Sequence, residues 1–419
     1  MGFIRVGWEH ILAMQTYSDR FRVYRKAMQP YLGSETAIAQ YNSLQEIEVH
    51  RFLLRVLLRF LQDPSKLSQH VQTEAGAVIL KIAYGYSIEQ HTRDPLVDMA
   101  NLALERFSLA GTPVVWLVDM YVPAWFPGAA FKRTAQEWKK QLENVVDKPY
   151  AFVQRRMNSG KFQPSYLSNL FKASGYPLVG SEEEIIAKWT AGSLYTGGAD
   201  TTVSSIETFF LAMTLFPGVQ RKAQEEIDQV LGGRLPTVAD RGKLPYADAI
   251  VKEALRWHPV APMGIPHVSV EDDLLNGFYI PKGSLIMPNI WALTHDSEVY
   301  HDPMVFKPER FLGIDGREPE MDPHAVVFGF GRRVCPVYLS IARSLAVSNV
   351  DKACEDGKEV EVKPEFQAGV ISHPVPWKFN VTTRSPAHEA LILTVEKEHP
   401  WEESDAPDLE NVSDHSLQG

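Results

Sequence analysis

Between Glu46 and Gln62 apolar residues recur at helical spacing with basic residues between them, which predicts an amphipathic helix. Ala75 to Tyr86 is compact, apolar and rich in small residues. Arg133 to Met157 predicts another long helix, ending near Asn158-Ser159-Gly160. Ser181 followed by Glu184 has the spacing of a capping box and opens a long apolar run. That run passes through Gly197-Gly198 to Phe216, where Pro217-Gly218 stops it, and at over thirty residues it is long for a globular helix. From Pro245 the texture changes. Helical residues up to Trp257 give way to short strand-like pieces at Ile265 to Val270, Phe278 to Ile280 and Ser284 to Met287, punctuated by Pro and Gly. Glu359 to Val362 and Trp377 to Thr382 alternate in the same way. There is no internal repeat. The expected fold is mainly α with small β-sheets.

Composition narrows the class. With 419 residues, 45% apolar and 22% charged, the chain can bury a sizeable core. Of the net charge of −10, −7 falls from Glu396 onward, so the rest of the chain carries only −3. The organisation expected is a body over 1–395 and an acidic, solvated, disordered tail over 396–419. No basic face suggests nucleic acid. Two cysteines, Cys335 and Cys354, rule out a disulfide framework and fit a reducing compartment. The start carries Arg5, Glu9 and His10 inside its apolar stretch, which suits neither a signal peptide nor a membrane span. Phe107 to Phe131 is nearly uncharged, but Pro113, Pro123 and Pro127 interrupt it. It reads as a buried or interfacial loop–helix segment.

Three constellations carry chemistry. In Phe328-Gly329-Phe330-Gly331-Arg332-Arg333-Val334-Cys335-Pro336 a glycine-rich turn leads into a helical pattern, with Pro336 suited to a first helical position. Cys335 then sits at a helix N-terminus beside two arginines, where its thiol pKa falls and a thiolate is held. Glu253 and Arg256, three residues apart, share one helix face. Glu48 and Arg51 have the same spacing, and the bland reading of either is a surface pair. Thr196-Gly197-Gly198-Ala199-Asp200-Thr201-Thr202 sets an acid beside alcohols where paired glycines weaken a helix, an arrangement suited to moving protons or, more simply, to a kink.

Taken together these segments resemble the cytochromes P-450. The cysteine segment is similar to the family's F-x-x-G-x-R-x-C-x-G haem loop, with Phe328, Gly331, Arg333 and Cys335 in register. Pro308-Glu309-Arg310-Phe311 looks like its P-E-R-F element, and Gly197 to Thr201 like its A/G-G-x-D/E-T element. The resemblance runs from about residue 7 to 385. It is strongest to fungal secondary-metabolism members, on phrases such as Gly111-Thr112-Pro113 and Val122-Pro123-Ala124-Trp125.

The resemblance implies haem b with Cys335 as axial ligand and Arg333 on a propionate. Arg25, in a helix where Phe21 replaces the family's Trp, and His267 would be further propionate donors. Arg310 would join Glu253 and Arg256 in a buried structural triad. Thr201 would position O2 or its water, and Asp200 would supply protons as a general acid with solvent. The reaction implied is oxygen insertion into a lipophilic small molecule, with electrons from NADPH through NADPH–cytochrome P450 reductase. The location implied is the cytoplasm or the cytoplasmic face of the endoplasmic reticulum, with membrane association possible.

Two departures qualify this. The family's membrane anchor, hinge and first strands and helices have no counterpart before Met1, so the expected fold is incomplete at its N-terminus, with unpaired strand edges and apolar surface left open. After Cys335-Pro336 the family expects Gly and this chain has Val337, followed by a helix, Tyr338 to Ala346, that is short by roughly two turns, about 10 Å. Two rival readings follow. One is a haem-binding but catalytically inactive chain. The other is a peroxide-using or isomerising haem-thiolate enzyme.

Overall fold

The computed structural model describes residues 6–59, 66–111, 129–313, 316–329 and 337–410. Helices dominate. In chain order the main ones are α1 (Asp19–Leu32), α2 (Asn42–Arg59), α3 (Leu67–Tyr84), α4 (Pro95–Gly111), α5 (Ala130–Asn158), α6 (Tyr166–Ser174), α7 (Glu182–Ala199), α8 (Thr201–Leu215), α9 (Pro217–Leu231), α10 (Pro245–Trp257), α11 (Val337–Val347), α12 (Pro386–Glu398) and α13 (Ala406–Glu410). Their starts follow local chemistry. Ser18 Oγ accepts the Phe21 N–H at the head of α1. Pro217 and Pro245 occupy first positions, where no intrahelical donor is lost. The capping box expected at α7 forms by half. Ser181 Oγ accepts the Glu184 N–H at 3.2 Å, while Glu184 reaches back one residue further, to the Gly180 N–H at 2.7 Å.

The long apolar run is two helices, not one. It breaks at Asp200 (φ −111°, ψ −36°), which ends α7 and begins α8. Hydroxyls back-bond on both sides of the break, Thr196 to the Gly192 carbonyl at 2.8 Å and Thr201 to the Gly197 carbonyl at 2.9 Å. The break also marks a change of core. Up to Ala199 the buried side chains join α3, α4, α5 and α6 around Leu80, Tyr84, Leu104 and Tyr166. From Val203 on they join α2, α9, α10 and α11 around Phe52, Phe210, Ile250 and Ile341. The α7–α8 pair thus spans both halves of the body.

The strands are β1 (His267–Val268), β2 (Asp273–Leu275), β3 (Phe278–Ile280), β4 (Leu285–Ile286), β5 (Ser348–Lys352), β6 (Cys354–Glu355), β7 (Lys358–Glu359) and β8 (Phe379–Thr383). They pair as antiparallel ribbons, β1 with β4, β2 with β3, β5 with β8 and β6 with β7. The β5–β8 ribbon is the longest, with Ser348 opposite Thr383 and Lys352 opposite Phe379. Val350, Phe379 and Val381 bury into the core from it. Leu274, Leu275, Phe278 and Leu285, on the other ribbons, are exposed.

The acidic tail corrects expectation as far as Glu410. Arg51 donates to the His399 and Pro400 carbonyls and lies 4.9 Å from the centroid of the Trp401 ring. Glu402 pairs with Lys81, and Asp405 and Asp408 pair with Arg156. Three of the acids counted as solvated, Glu402, Asp405 and Asp408, are therefore counter-ions to bases on α3 and α5. Glu48 and Arg51, set aside as a bland pair, meet at 2.6 Å in a buried bridge that anchors this segment. Of Phe107 to Phe131, α4 takes residues up to Gly111, and 112–128 lie outside the described residues. Among the described residues no single helix is long and apolar enough to cross a membrane.

Candidate functional site

From Trp189 to Thr214 the α7–α8 pair is buried except over one short stretch. Gly197, Gly198, Asp200, Thr201 and Thr202 are part-exposed. Water-sized space therefore reaches the middle of an otherwise buried helix pair at the residues marked out by sequence as the acid–alcohol element. Gly198 packs against the Ile79 side chain, which a Cβ there would meet at 3.1 Å, and the Thr201 hydroxyl is fixed by its bond to Gly197.

The carboxylate of Asp200 makes no cap to α8. It lies instead 3.1 Å from Nε2 of His373. The other ring nitrogen, Nδ1, is 2.9 Å from Glu207 Oε2. Asp200 and Glu207, seven residues apart, fall on one face of the helix pair. An imidazole held between two carboxylates donates from both nitrogens, so His373 is an imidazolium. Burial works against that charge, but the hydrogen bonds to Asp200 and Glu207 outweigh it and lift the ring to about 10. Sequence reading missed His373. It lies 166 residues from Glu207 in a Pro-flanked turn, and no local pattern marks it.

The loop carrying His373 is tied on both sides. The Ser372 N–H donates to the Val260 carbonyl, and its carbonyl accepts from Ser204 Oγ on α8 at 2.6 Å. Ser372 Oγ donates to the Gln367 carbonyl, so it accepts from Nε2 of His258 at 2.9 Å. The His258 ring stacks on Phe366 with centroids 3.4 Å apart. Burial first, then the nearby rings of His295 and His373, push His258 down to about 3, so it is neutral.

Glu253, Arg256 and Arg310 come together as a second ionic cluster. Arg256 grips Glu253 with two bonds of 2.7 and 2.8 Å, and Arg310 Nε reaches the same carboxylate at 3.2 Å. The Lys307 N–H donates to it as well. The remaining donors are satisfied too, Arg256 by the Thr294 carbonyl and Arg310 by Glu320 and the His301 carbonyl. All three side chains are 0% exposed. Burial pushes the Glu253 carboxyl up, against the pull of Arg256, Arg310 and the Lys307 N–H.

Cys335, Arg333 and Gly331 lie outside the described residues. Phe328 is part-buried against the core and stacks on His324. Arg25 and His267 are both exposed. On α1, Arg20 pairs with Glu182 and Arg22 with Asp19, whereas Arg25 meets only the Phe21 ring among the described residues. No acid among the described residues pairs with His267 either. A thiol in the chain, a guanidinium and an imidazole not matched to carboxylates among the described residues, and an open acid–alcohol stretch are a donor set that fits an anionic haem. Val337, suspect from sequence, opens α11 at 0% exposure with its side chain in the core.

A family model described as Cytochrome P450 matches residues 5–336, ending where Val337 opens α11. Cytochrome P450 monooxygenase claR of Ampulloclitocybe clavipes is 44% identical, over 96% of this chain and 76% of that protein. Cytochrome P450 monooxygenase ppsD of Aspergillus oryzae is 45% identical, over 96% and 78%. O-methylsterigmatocystin oxidoreductase of Aspergillus flavus is 42% identical, over 96% and 77%. Among solved structures, a zebra fish cytochrome P450 with abiraterone superposes with a TM-score of 0.67 at 21% identity, over 92% of this chain and 87% of that one. That likeness bears on the fold.

Proposed function

The chain belongs to the cytochrome P450 family, among its fungal monooxygenases, and from that premise we propose that it inserts one atom of O2 into a C–H bond of a lipophilic small molecule. Its electrons come from NADPH through NADPH–cytochrome P450 reductase at the cytoplasmic face of the endoplasmic reticulum. Likeness to O-methylsterigmatocystin oxidoreductase supports a substrate from secondary metabolism. Cys335 would hold the haem iron, and Arg333, Arg25 and His267 its carboxylates, with Phe328 and Gly331 shaping the loop. Haem bound there supplies the dioxygen-splitting redox chemistry.

The protein's own part is proton handling and support. The single observation that carries the reading is the open stretch at Gly197 to Thr202 in a buried helix pair. Thr201, held by Gly197, presents its hydroxyl at that opening. Asp200, on the same turn, takes protons from water and passes them to that hydroxyl. The Glu253–Arg256–Arg310 cluster fixes α10 to the 301–310 segment and keeps the core rigid.

The test is turnover of the haem-loaded chain with the reductase, NADPH and 18O2 across a panel of lipophilic small molecules. The reading predicts products carrying one 18O atom, and Thr201→Ala diverting most of the NADPH into peroxide. Peroxide-driven turnover indifferent to Thr201→Ala would overturn it in favour of a reductase-independent enzyme.

A further inference from the structure

The Asp200–His373–Glu207 cluster lies at the proposed reaction space, yet nothing in the proton path above uses His373. Four observations converge on it. Asp200 stands at the head of α8, where a carboxylate ordinarily caps free N–H groups, and instead points to His373. His373 is tied through Ser372 to Ser204 and Val260, so its ring cannot easily follow Asp200. Glu207 holds the far nitrogen, so the imidazolium keeps a counter-ion when Asp200 leaves. The cluster is not sealed, since His373 and Asp200 side chains are 21% and 14% exposed.

We propose that His373 is a positioning residue for Asp200, a latch that holds its carboxylate away from Thr201 until it is released, with Glu207 retaining the imidazolium. The inference rests on the reading of Asp200 as the proton donor. The release costs a charge-assisted hydrogen bond but strands no buried charge. On release the Asp200 carboxylate takes a proton from water at the opening and passes it to the Thr201 hydroxyl, which gives up its own toward the reaction space, so Asp200 returns to His373 as a carboxylate. His373 and Glu207 keep their charges throughout. Among the described residues the titratable groups facing His373 are Asp200 and Glu207 from the helix pair and His258 from the turn after α10, which is neutral.

The arrangement makes the two carboxylates opposite in effect. Removing Glu207 leaves Asp200 as the sole counter-ion and tightens the latch. Removing His373 frees Asp200 altogether.

The first readout is independent of turnover. The His373 ring is followed by NMR against pH in the haem-loaded protein, selectively labelled at histidine and assigned by His373→Gln. Wild type should titrate well above 6.5, and Asp200→Asn and Glu207→Gln should each move the midpoint down by a unit or more. A midpoint near 6.5 that neither variant moves overturns the proposal.

The second readout is the solvent deuterium isotope effect on product formation and its pH profile. Glu207→Gln should enlarge the isotope effect, and His373→Gln should shrink it and shift the profile. His373→Arg, which keeps a cationic donor, should restore both. A wild type that turns over, with folded variants sharing one profile and one isotope effect, sinks the latch and leaves the proposed function standing. Haem-loaded wild type that makes no oxygenated product fails the function itself, and the NMR titration then still decides whether the latch exists.

Discussion

Two buried ionic clusters divide this molecule's charge in opposite ways. In one, Glu253 sits between two guanidiniums, with all three side chains sealed from water, and Arg310 also reaches the part-exposed carboxylate of Glu320. In the other, a single imidazolium, His373, sits between two carboxylates at the edge of an open space. The first has backbone partners on all sides, the Lys307 N–H and the Thr294, His301 and Val305 carbonyls among them. Among the described residues Arg256 has no carboxylate but Glu253, so loss of Glu253 strands a guanidinium in the core. The second has a spare acid, so one partner can depart. Sealing and over-coordination make a fixture, and an extra counter-ion beside water makes a movable part. Charge count and solvent access separate the two roles more clearly than burial alone does.

That contrast can be broken most forcefully at Glu253. Glu253→Ala leaves Arg256 buried without its carboxylate and Arg310 with Glu320 alone, and should cost about 3–5 kcal/mol of folding stability. Urea unfolding measures it, and a loss below about 1 kcal/mol would mean that the cluster is not the fixture described.

The second cluster should show instead in the dependence of stability on pH. The folded pKa of His373 is raised from 6.5 to about 10, so its stabilisation is complete below 6.5 and disappears as pH rises toward 10. Its neighbour His258 has the opposite sign. Its folded pKa is lowered to about 3, so the benefit of the neutral ring is present above 6.5 and is lost as pH falls toward 3. Wild type should therefore lose stability on both flanks, at up to about 1.4 kcal/mol per pH unit for each ring. His373→Gln should flatten the alkaline flank only, and His258→Gln the acid flank only. Thermal unfolding at a series of pH values reads both slopes, and matching slopes in all three proteins would contradict the assignment.

The smallest effect belongs at the surface. Arg20→Ala removes an exposed pair with Glu182 and should change stability by less than about 1 kcal/mol, less still in high salt. A larger loss would mean that exposure is a poor guide to rank among these ion pairs.

What could be read beforehand followed from local chemistry. Helix periodicity placed α2, α5 and α10, and Ser181 marked the start of α7, because caps and apolar faces are written within a few residues. The break at Asp200 was half legible. The paired glycines and threonines announced a weak point, but the run around it stays apolar because the helix passes from one core into the next. The ribbons came out shorter than the alternating stretches, since only His267–Val268 and Leu285–Ile286 find partners in the β1–β4 pair. What failed was long range. The acids after Glu396 looked solvated because their bases, Lys81 and Arg156, lie far upstream. His373 carried no motif at all. It gains its role from two acids that the chain brings back over it from more than 160 residues away.

The reduced-plus-CO difference spectrum of the haem-loaded chain, taken beside Cys335→Ala, tests the central claim most directly. A far red-shifted Soret band in the wild type that disappears in Cys335→Ala is the result predicted, since only a thiolate ligand from that residue gives it. No haem uptake, or a band that survives the substitution, would contradict the account and leave a chain with the fold of its family but without its iron site.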